Sequence, residues 1–107
     1  MSIILVETYV VRAEKRAEFT PLLNEFLKFK EAHPQLFAGL KSWKLHKQDY
    51  GQPSGMYIEM WEYENLAQFE EIDRRIFSDE GMERISTAFH QLVEPATFSA
   101  NIWSTVA

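Results

Sequence analysis

The chain has 107 residues, of which 46% are hydrophobic and 25% are charged, and its formal net charge is -5. A chain of this length has room for one hydrophobic core, so we expect a single domain that spans residues 1–107. Because it contains no cysteine, disulfides, thiolate metal sites and cysteine nucleophiles are excluded, and its acidic balance disfavours duplex nucleic acid as a partner. The apolar run at 3–6 is too short for a membrane segment or signal peptide, so we expect no membrane association and a cytoplasmic location.

The first third of the chain predicts a strand followed by a helix. Residues 3–11 are rich in β-branched and aromatic types, which is typical of a strand. Between 14 and 32, apolar residues recur at the spacing of one helical face; they are Phe19, Leu22, Leu23, Phe26 and Leu27. Pro21 is tolerated best in a first turn, so this helix either begins at Thr20 or kinks there, and it ends before Pro34.

The middle and the end of the chain predict three further strands. Residues 40–48 and 54–64 read as the two strands of a hairpin, because the turn-forming residues 49–53 lie between them. The alternating segment 97–106 reads as the last strand.

A long helical region is predicted between the hairpin and the last strand. Residues 65–93 carry two apolar stripes that are out of step with each other, and the break falls at 78–81. Ser78 offers an N-cap hydroxyl there, which predicts two helices or one strongly kinked helix. The resulting βαββαβ order and right-handed crossovers favour an α+β, ferredoxin-like antiparallel sheet with its helices on one face.

Period-2 alternation sorts the strand side chains into two sets. We expect the aliphatic set to pack against the helices; it comprises Ile4, Val6, Val10, Met56, Ile58, Met60, Phe98, Ala100 and Ile102, with Trp43 and Leu45 joining it. We expect the aromatic set to face away from the helices; it comprises Leu5, Glu7, Tyr9, Tyr57, Glu59, Trp61, Tyr63, Ser99, Asn101 and Trp103, with Ser42, Lys44 and His46. Its five large aromatic side chains exceed the usual exposed patch of a monomer, so a second copy should cover them in a homodimer.

Several segments resemble the dimeric α/β-barrel superfamily, especially its antibiotic-biosynthesis-monooxygenase-like and NIPSNAP-like branches. They are ILVETYVV at 4–11, the charged helix start at 14–15, MYIEMWEY at 56–63 and NLAQF at 65–69. The resemblance implies a ferredoxin-like protomer that dimerises through its sheet. It also implies relatives that include cofactor-free oxygenases of polycyclic phenols, haem-degrading enzymes and many proteins with no assigned activity.

The resemblance to the haem-degrading branch is incomplete. Trp61 matches that branch, but its strand-one Asn is replaced here by Glu7 or Thr8. The helix-two histidine has no counterpart except His90, near the far end of the helix. We therefore expect no haem and no other cofactor.

Two carboxyls and one imidazole are the candidate catalytic groups. Glu7 and Glu59 lie on neighbouring central strands of the predicted sheet, where burial and mutual repulsion should raise the pKa of at least one. One would act as a general base on an acidic C–H or a phenol; alternatively, both form ion pairs at the dimer seam. His46 titrates near neutrality and is a further acid/base candidate, or an ordinary surface residue. We expect no metal site, because the three histidines are separated and cysteine is absent; the alternative is a divalent ion held by Glu7, Glu59 and His46 together.

Aromatic side chains are the candidate binding groups. Tyr9, Tyr57, Trp61, Tyr63 and Trp103 would line a pocket for a flat aromatic ligand, or would only pack in the interface. Asn101 would orient oxygen.

Two functions follow from these residues. The first is a homodimeric, cofactor-independent, monooxygenase-like enzyme that acts on an aromatic or polyketide-like small molecule. The second is a non-catalytic dimeric domain that binds a small hydrophobic ligand or a partner protein. A cavity of roughly 300 Å³ or more with a carboxyl or imidazole in its wall would favour the enzyme.

Overall fold

Four strands and three α-helices form the fold of residues 2–107, which a computed structural model describes. In chain order they are β1 (Ile3–Val10), α1 (Arg16–Ala32), β2 (Ser42–Lys47), β3 (Met56–Tyr63), α2 (Leu66–Phe77), α3 (Glu80–Leu92) and β4 (Ser99–Ser104). Short 3-10 turns precede α1 and β4. The out-of-step stripes therefore mark two separate helices.

The sheet is antiparallel throughout and has the strand order β2-β3-β1-β4. This order confirms the predicted ferredoxin-like arrangement, in which the first and third strands are central. The helices α1 and α3 contact each other and pack on the same face of the sheet. The other face, which we call the open face, has no helix of its own protomer against it.

The helix ends show which side chains set the boundaries. The side chain of Asp79, rather than Ser78, caps α3 by accepting hydrogen bonds from the backbone N–H of Gly81 at 2.8 Å and of Met82 at 3.2 Å. The predicted cap was wrong because the Ser78 hydroxyl instead donates to the carbonyl of Arg75. Pro21 lies inside α1, which begins earlier than predicted and continues past it.

The predicted orientation of the two central strands is wrong. The register pairs Glu7 with Glu59 and Tyr9 with Tyr57, so the aromatic set of β1 and β3 shares one face, as predicted. That face, however, is the one the helices cover, since only 1% of Tyr9 and 4% of Trp61 is exposed. Both sets are apolar enough to be buried, so strand alternation alone could not decide between them.

The two edge strands have the predicted orientation, so their side chains do not sort with those of the reversed central strands in the way we expected. Trp43 lies opposite Trp61 in the register and faces the helices, as predicted. Trp103 lies opposite Ile4, which places it on the open face. The open face comprises Ile4, Val6, Thr8, Val10, Ser42, Lys44, His46, Met56, Ile58, Met60, Glu62, Ser99, Asn101 and Trp103.

Candidate active site

A cavity of about 140 Å³ lies between the helix-covered face of the sheet and helices α1 and α3. The sheet contributes six lining residues, namely Glu7, Tyr9, Trp43, Leu45, Glu59 and Trp61. The helical walls are mainly apolar and include Phe19 and Phe26 of α1 and Phe89 and His90 of α3. The cavity is thus an aromatic chamber with two carboxyls in one wall, and it lies inside a single protomer.

The local sequence explains why these groups meet. Glu7 and Glu59 are direct partners in the β1–β3 register, so their side chains leave the sheet side by side. The 3.6-residue periodicity of α1 brings Phe19 and Phe26 onto the face that packs over them. Rings from the helices therefore close the space above the carboxyl pair.

Glu59 accepts hydrogen bonds from three aromatic side chains. The hydroxyl of Tyr9 donates to its Oε1 at 3.1 Å, and the indole Nε1 atoms of Trp43 and Trp61 donate to its Oε2 at 3.1 and 2.7 Å. Burial, followed by the charge of Glu59, raises the pKa of Tyr9 well above its ordinary value, so its hydroxyl remains a donor. These three bonds fix the orientation of Glu59 and of the rings around it.

Glu7 is the carboxyl that titrates near neutrality. Burial, and then the charge of Glu59 beside it, raises the pKa of Glu7 from an ordinary value of 4.5 to about 7. The indole N–H of Trp61 partly offsets this rise, whereas Asp73 of α2 adds to it. The predicted rise is therefore present, although the cover comes from the protomer's own helices. A carboxyl with this pKa can both accept and return a proton at physiological pH.

Four of the predicted site residues meet in the cavity: Glu7, Tyr9, Glu59 and Trp61. Two others lie on the same face of the sheet but do not line the cavity. Tyr57 stacks against Tyr9 with ring centroids 5.9 Å apart, and Tyr63 is buried against Phe69. These two tyrosines belong to the packed core next to the cavity.

Three predicted site residues do not reach the cavity. His46, Asn101 and Trp103 are exposed on the open face, opposite Ile58, Val6 and Ile4 in the register. The sheet therefore separates them from the carboxyl pair. The predicted grouping of these residues with the carboxyl pair was wrong, because β1 and β3 turn the carboxyls towards the helices whereas β2 and β4 keep these residues on the open face.

Several lining residues were missed by the sequence analysis. Trp43 and Leu45 were assigned to the aliphatic set, and His90 was considered only for haem. Phe19, Phe26 and Phe89 were recognised as apolar helix positions but not as walls of a site. The available signal was the recurrence of phenylalanine among the aliphatic residues on the covered faces of the helices.

The described part of the chain offers neither a metal cluster nor a membrane span. Within residues 2–107, no group of three or more His, Cys, Asp or Glu side chains is placed to hold a metal ion. None of the helices in that range is both long enough and apolar enough to cross a bilayer.

Comparison with known proteins identifies the fold. No family model matches this sequence, and no curated protein matches it. Among solved structures, a NIPSNAP family protein from Agrobacterium tumefaciens str. C58 matches with a TM-score of 0.76 and 22% identity, over 98% of this chain and 86% of that chain. A Deinococcus radiodurans protein provisionally assigned as an antibiotic biosynthesis monooxygenase matches with a TM-score of 0.67 and 16% identity, over 98% and 93% of the two chains.

A third solved structure carries a named activity. SnoaB, a cofactor-independent oxygenase from Streptomyces nogalater, matches with a TM-score of 0.66 and 15% identity, over 97% of this chain and 92% of that chain. All three identities are low, so the matches show a shared fold and leave the chemistry open. The chain has the fold of NIPSNAP and antibiotic-biosynthesis-monooxygenase-like proteins, which confirms the predicted fold.

Proposed function

We propose that the protein is a small-molecule enzyme that binds an aromatic ring in the cavity of each protomer and oxygenates it without a cofactor. The observation that carries this proposal is the environment of Glu7, a carboxyl in the cavity wall whose pKa of about 7 suits a general base. The fold that the chain shares with a cofactor-independent oxygenase supports the choice of reaction.

The carboxyl pair favours proton removal from the substrate. With Glu7 and Glu59 both ionised, two negative charges lie on adjacent strands, and transfer of a substrate proton to Glu7 relieves that repulsion. The negative charge moves onto a ring, where it is delocalised. Glu7 would take the proton from a phenol O–H or an acidic ring C–H.

Oxygen would then react with the carbanion form of the substrate. One electron passes to O2, the two radicals combine to form a C–O bond, and Glu7 returns its proton to give a hydroperoxide. Loss of water leaves a carbonyl, so a phenol and one O2 give a quinone and one H2O. The ring loses four electrons and oxygen gains four, and Glu7 ends in the state in which it began.

Oxygen uptake by a panel of one-ring phenols, beginning with phenol itself, tests the proposal. We expect uptake with quinone formation, and Glu7→Gln should lower the rate about 10²- to 10⁴-fold, the range typical of losing a general base. Glu64→Gln is the matched control, because Glu64 is exposed and pairs with Lys41 away from the cavity. Equal rates for Glu7→Gln and the wild type would refute the role of Glu7.

The size of the cavity favours one alternative, which is non-catalytic binding of a small hydrophobic ligand. A volume of about 140 Å³ is below the roughly 300 Å³ expected of an enzyme site. The same panel distinguishes the two functions, since a binding domain would hold phenols without consuming oxygen. The cavity does not favour a protein as the partner, because the residues that line it face the space between the sheet and the helices.

We also propose a homodimer, formed through the open face instead of the aromatic set. The centre of that face is aliphatic, and 38% of Ile58 and 60% of Trp103 is exposed in the protomer. A flat apolar sheet face is complementary to its own copy under twofold symmetry, which argues for a second copy as the occupant. The cavity would then lie outside the interface, with one cavity in each protomer.

A further inference from the structure

We infer that the cavity selects an uncharged ligand of one ring that donates a hydrogen bond, and that it rejects ring compounds carrying a negative charge. This inference rests on the cavity as the binding site of the proposed function. It does not depend on the oxygen chemistry.

The volume of the cavity limits the ligand to one ring. An engineered protein cavity of about 150 Å³ holds one benzene molecule, so about 140 Å³ accommodates a ligand of similar size. Several walls belong to the packed core, including Phe26, Met82 and Ile85, which are all buried. The cavity is open on one side, but its inner walls would have to repack to enclose a second ring, at a cost typical of overpacked cores. A polycyclic or polyketide-like substrate therefore fits poorly.

The charges around the cavity exclude anions. Two carboxyls line it, whereas no Lys or Arg is among the lining residues that the structure describes and His90 of α3 is their one basic side chain. The ion pairs found within residues 2–107, Lys15–Glu18 and Lys41–Glu64, lie on exposed surface and cannot offset this charge. An anionic ligand would meet the Glu59 carboxylate in a low-dielectric space, where like charges repel strongly.

The hydrogen bonds of Glu59 disfavour a cation. Both of its oxygens already accept from side chains, Oε1 from Tyr9 and Oε2 from Trp43 and Trp61. One acceptor position remains on Oε1, but an ammonium group would have to lose its hydration in a mainly apolar cavity to reach it, and this desolvation opposes binding. Of these three donors only the Trp61 indole also acts on Glu7, so Glu7 is the carboxyl with acceptor positions left for a ligand. A phenol O–H or an amide N–H can donate a hydrogen bond to Glu7 without carrying a charge into the cavity.

Titrations followed by the indole N–H signals of the three tryptophans test this inference. Trp43 and Trp61 line the cavity, and Trp103 on the open face serves as an internal control. The probes are phenol, benzamide, benzoate, benzylammonium and 2-naphthol, added without oxygen at pH 7.5. Benzamide and benzoate are nearly isosteric, so they differ mainly in charge.

We expect phenol and benzamide to shift the signals of Trp43 and Trp61 but not that of Trp103. Benzoate should bind at least about tenfold more weakly than benzamide, since like charges placed together cost several kcal/mol. The variant Glu59→Gln should narrow that gap, because it removes the repelling charge; the wild-type series alone is decisive if this variant does not fold. 2-Naphthol should not compete with phenol.

The opposite results would overturn the inference. They are benzoate binding as tightly as benzamide, benzylammonium binding more tightly than phenol, or 2-naphthol displacing phenol from the cavity. Failure of the proposed function would look different, because phenol would then bind as expected and consume no oxygen. Oxygen uptake with benzoate or 2-naphthol would instead refute the inference and keep the function.

Discussion

The raised pKa of Glu7 makes the stability of the protein depend on pH. Its carboxyl has a pKa of about 7 when folded and an ordinary value of 4.5. Folding therefore favours the neutral form of Glu7. The contribution of this form to the free energy of unfolding is fully present below about pH 4.5 and is lost as the pH rises through 7. The full change corresponds to about 3 kcal/mol in the free energy of unfolding.

Urea denaturation at several pH values measures this effect. The free energy of unfolding of the wild type should fall relative to that of Glu7→Gln as the pH rises from 4.5 to 8. Other carboxyls, including the half-buried Asp73, titrate in both proteins, so the difference isolates Glu7. Parallel pH dependences would contradict the buried environment assigned to this residue.

Glu59 should set the pH dependence of the reaction through Glu7. Because Glu7 must be ionised to accept a proton, the rate should rise with pH through about 7. Glu59→Gln removes the second largest cause of the raised pKa of Glu7, so the midpoint of the rate profile should move to lower pH. Burial, the largest cause, persists, and the midpoint should remain above 4.5. A midpoint unchanged in Glu59→Gln would show that the carboxyls are not coupled.

At the scale of the elements, the start of α3 depends on one side chain. Asp79 accepts two backbone N–H groups there, so Asp79→Ala should lower the free energy of unfolding by about 1 kcal/mol. Ser78→Ala is the matched control, because the Ser78 hydroxyl caps no N–H group of α3 and should matter less. Thermal denaturation of both variants measures the difference. A larger loss for Ser78→Ala would contradict the observed cap.

The sequence was sufficient to predict the elements and their order but not which way the sheet faces. Periodicity located all four strands, and the break near Ser78 separated α2 from α3, because these signals are local. Which face of the sheet the helices cover was ambiguous, because Val6 and Tyr9 are both apolar enough for a core. The outcome depends on how the rings of α1 and α3 fill the space above the sheet. Packing of this kind joins residues that are far apart in the sequence, so the alternation within one strand cannot predict it.

The candidate site was predictable only where it depended on the two central strands. Glu7 and Glu59 were correctly placed side by side, because β1 and β3 are long and their register follows from the topology. Trp43 and Trp103 lie on the faces predicted for them, but Trp43 shares its face with the carboxyl pair and Trp103 does not, because β1 and β3 have the opposite orientation to the predicted one. When the phase between neighbouring strands is wrong by one residue, every side chain of a strand is assigned to the wrong partners.

For the whole molecule, the open face predicts a dimer that a single charge should disrupt. Ile58 lies within this face, so Ile58→Asp would bury an unpaired carboxylate in the proposed interface. Sedimentation of the wild type at micromolar concentration should show a dimer and that of Ile58→Asp a monomer. Tyr50→Asp is the control, since Tyr50 is exposed on the hairpin outside the open face. A monomeric wild type, or a dimeric Ile58→Asp, would contradict the proposal.

The cavity of each protomer holds Glu7 as a neutral acid at low pH and as a base above neutrality. A pH titration of the Glu7 side-chain carboxyl carbon by NMR in the free protein measures this change directly. We expect a midpoint near 7, because burial and Glu59 both oppose ionisation. A midpoint near 4.5 would show a solvated carboxyl and would contradict both the cavity and the chemistry assigned to it.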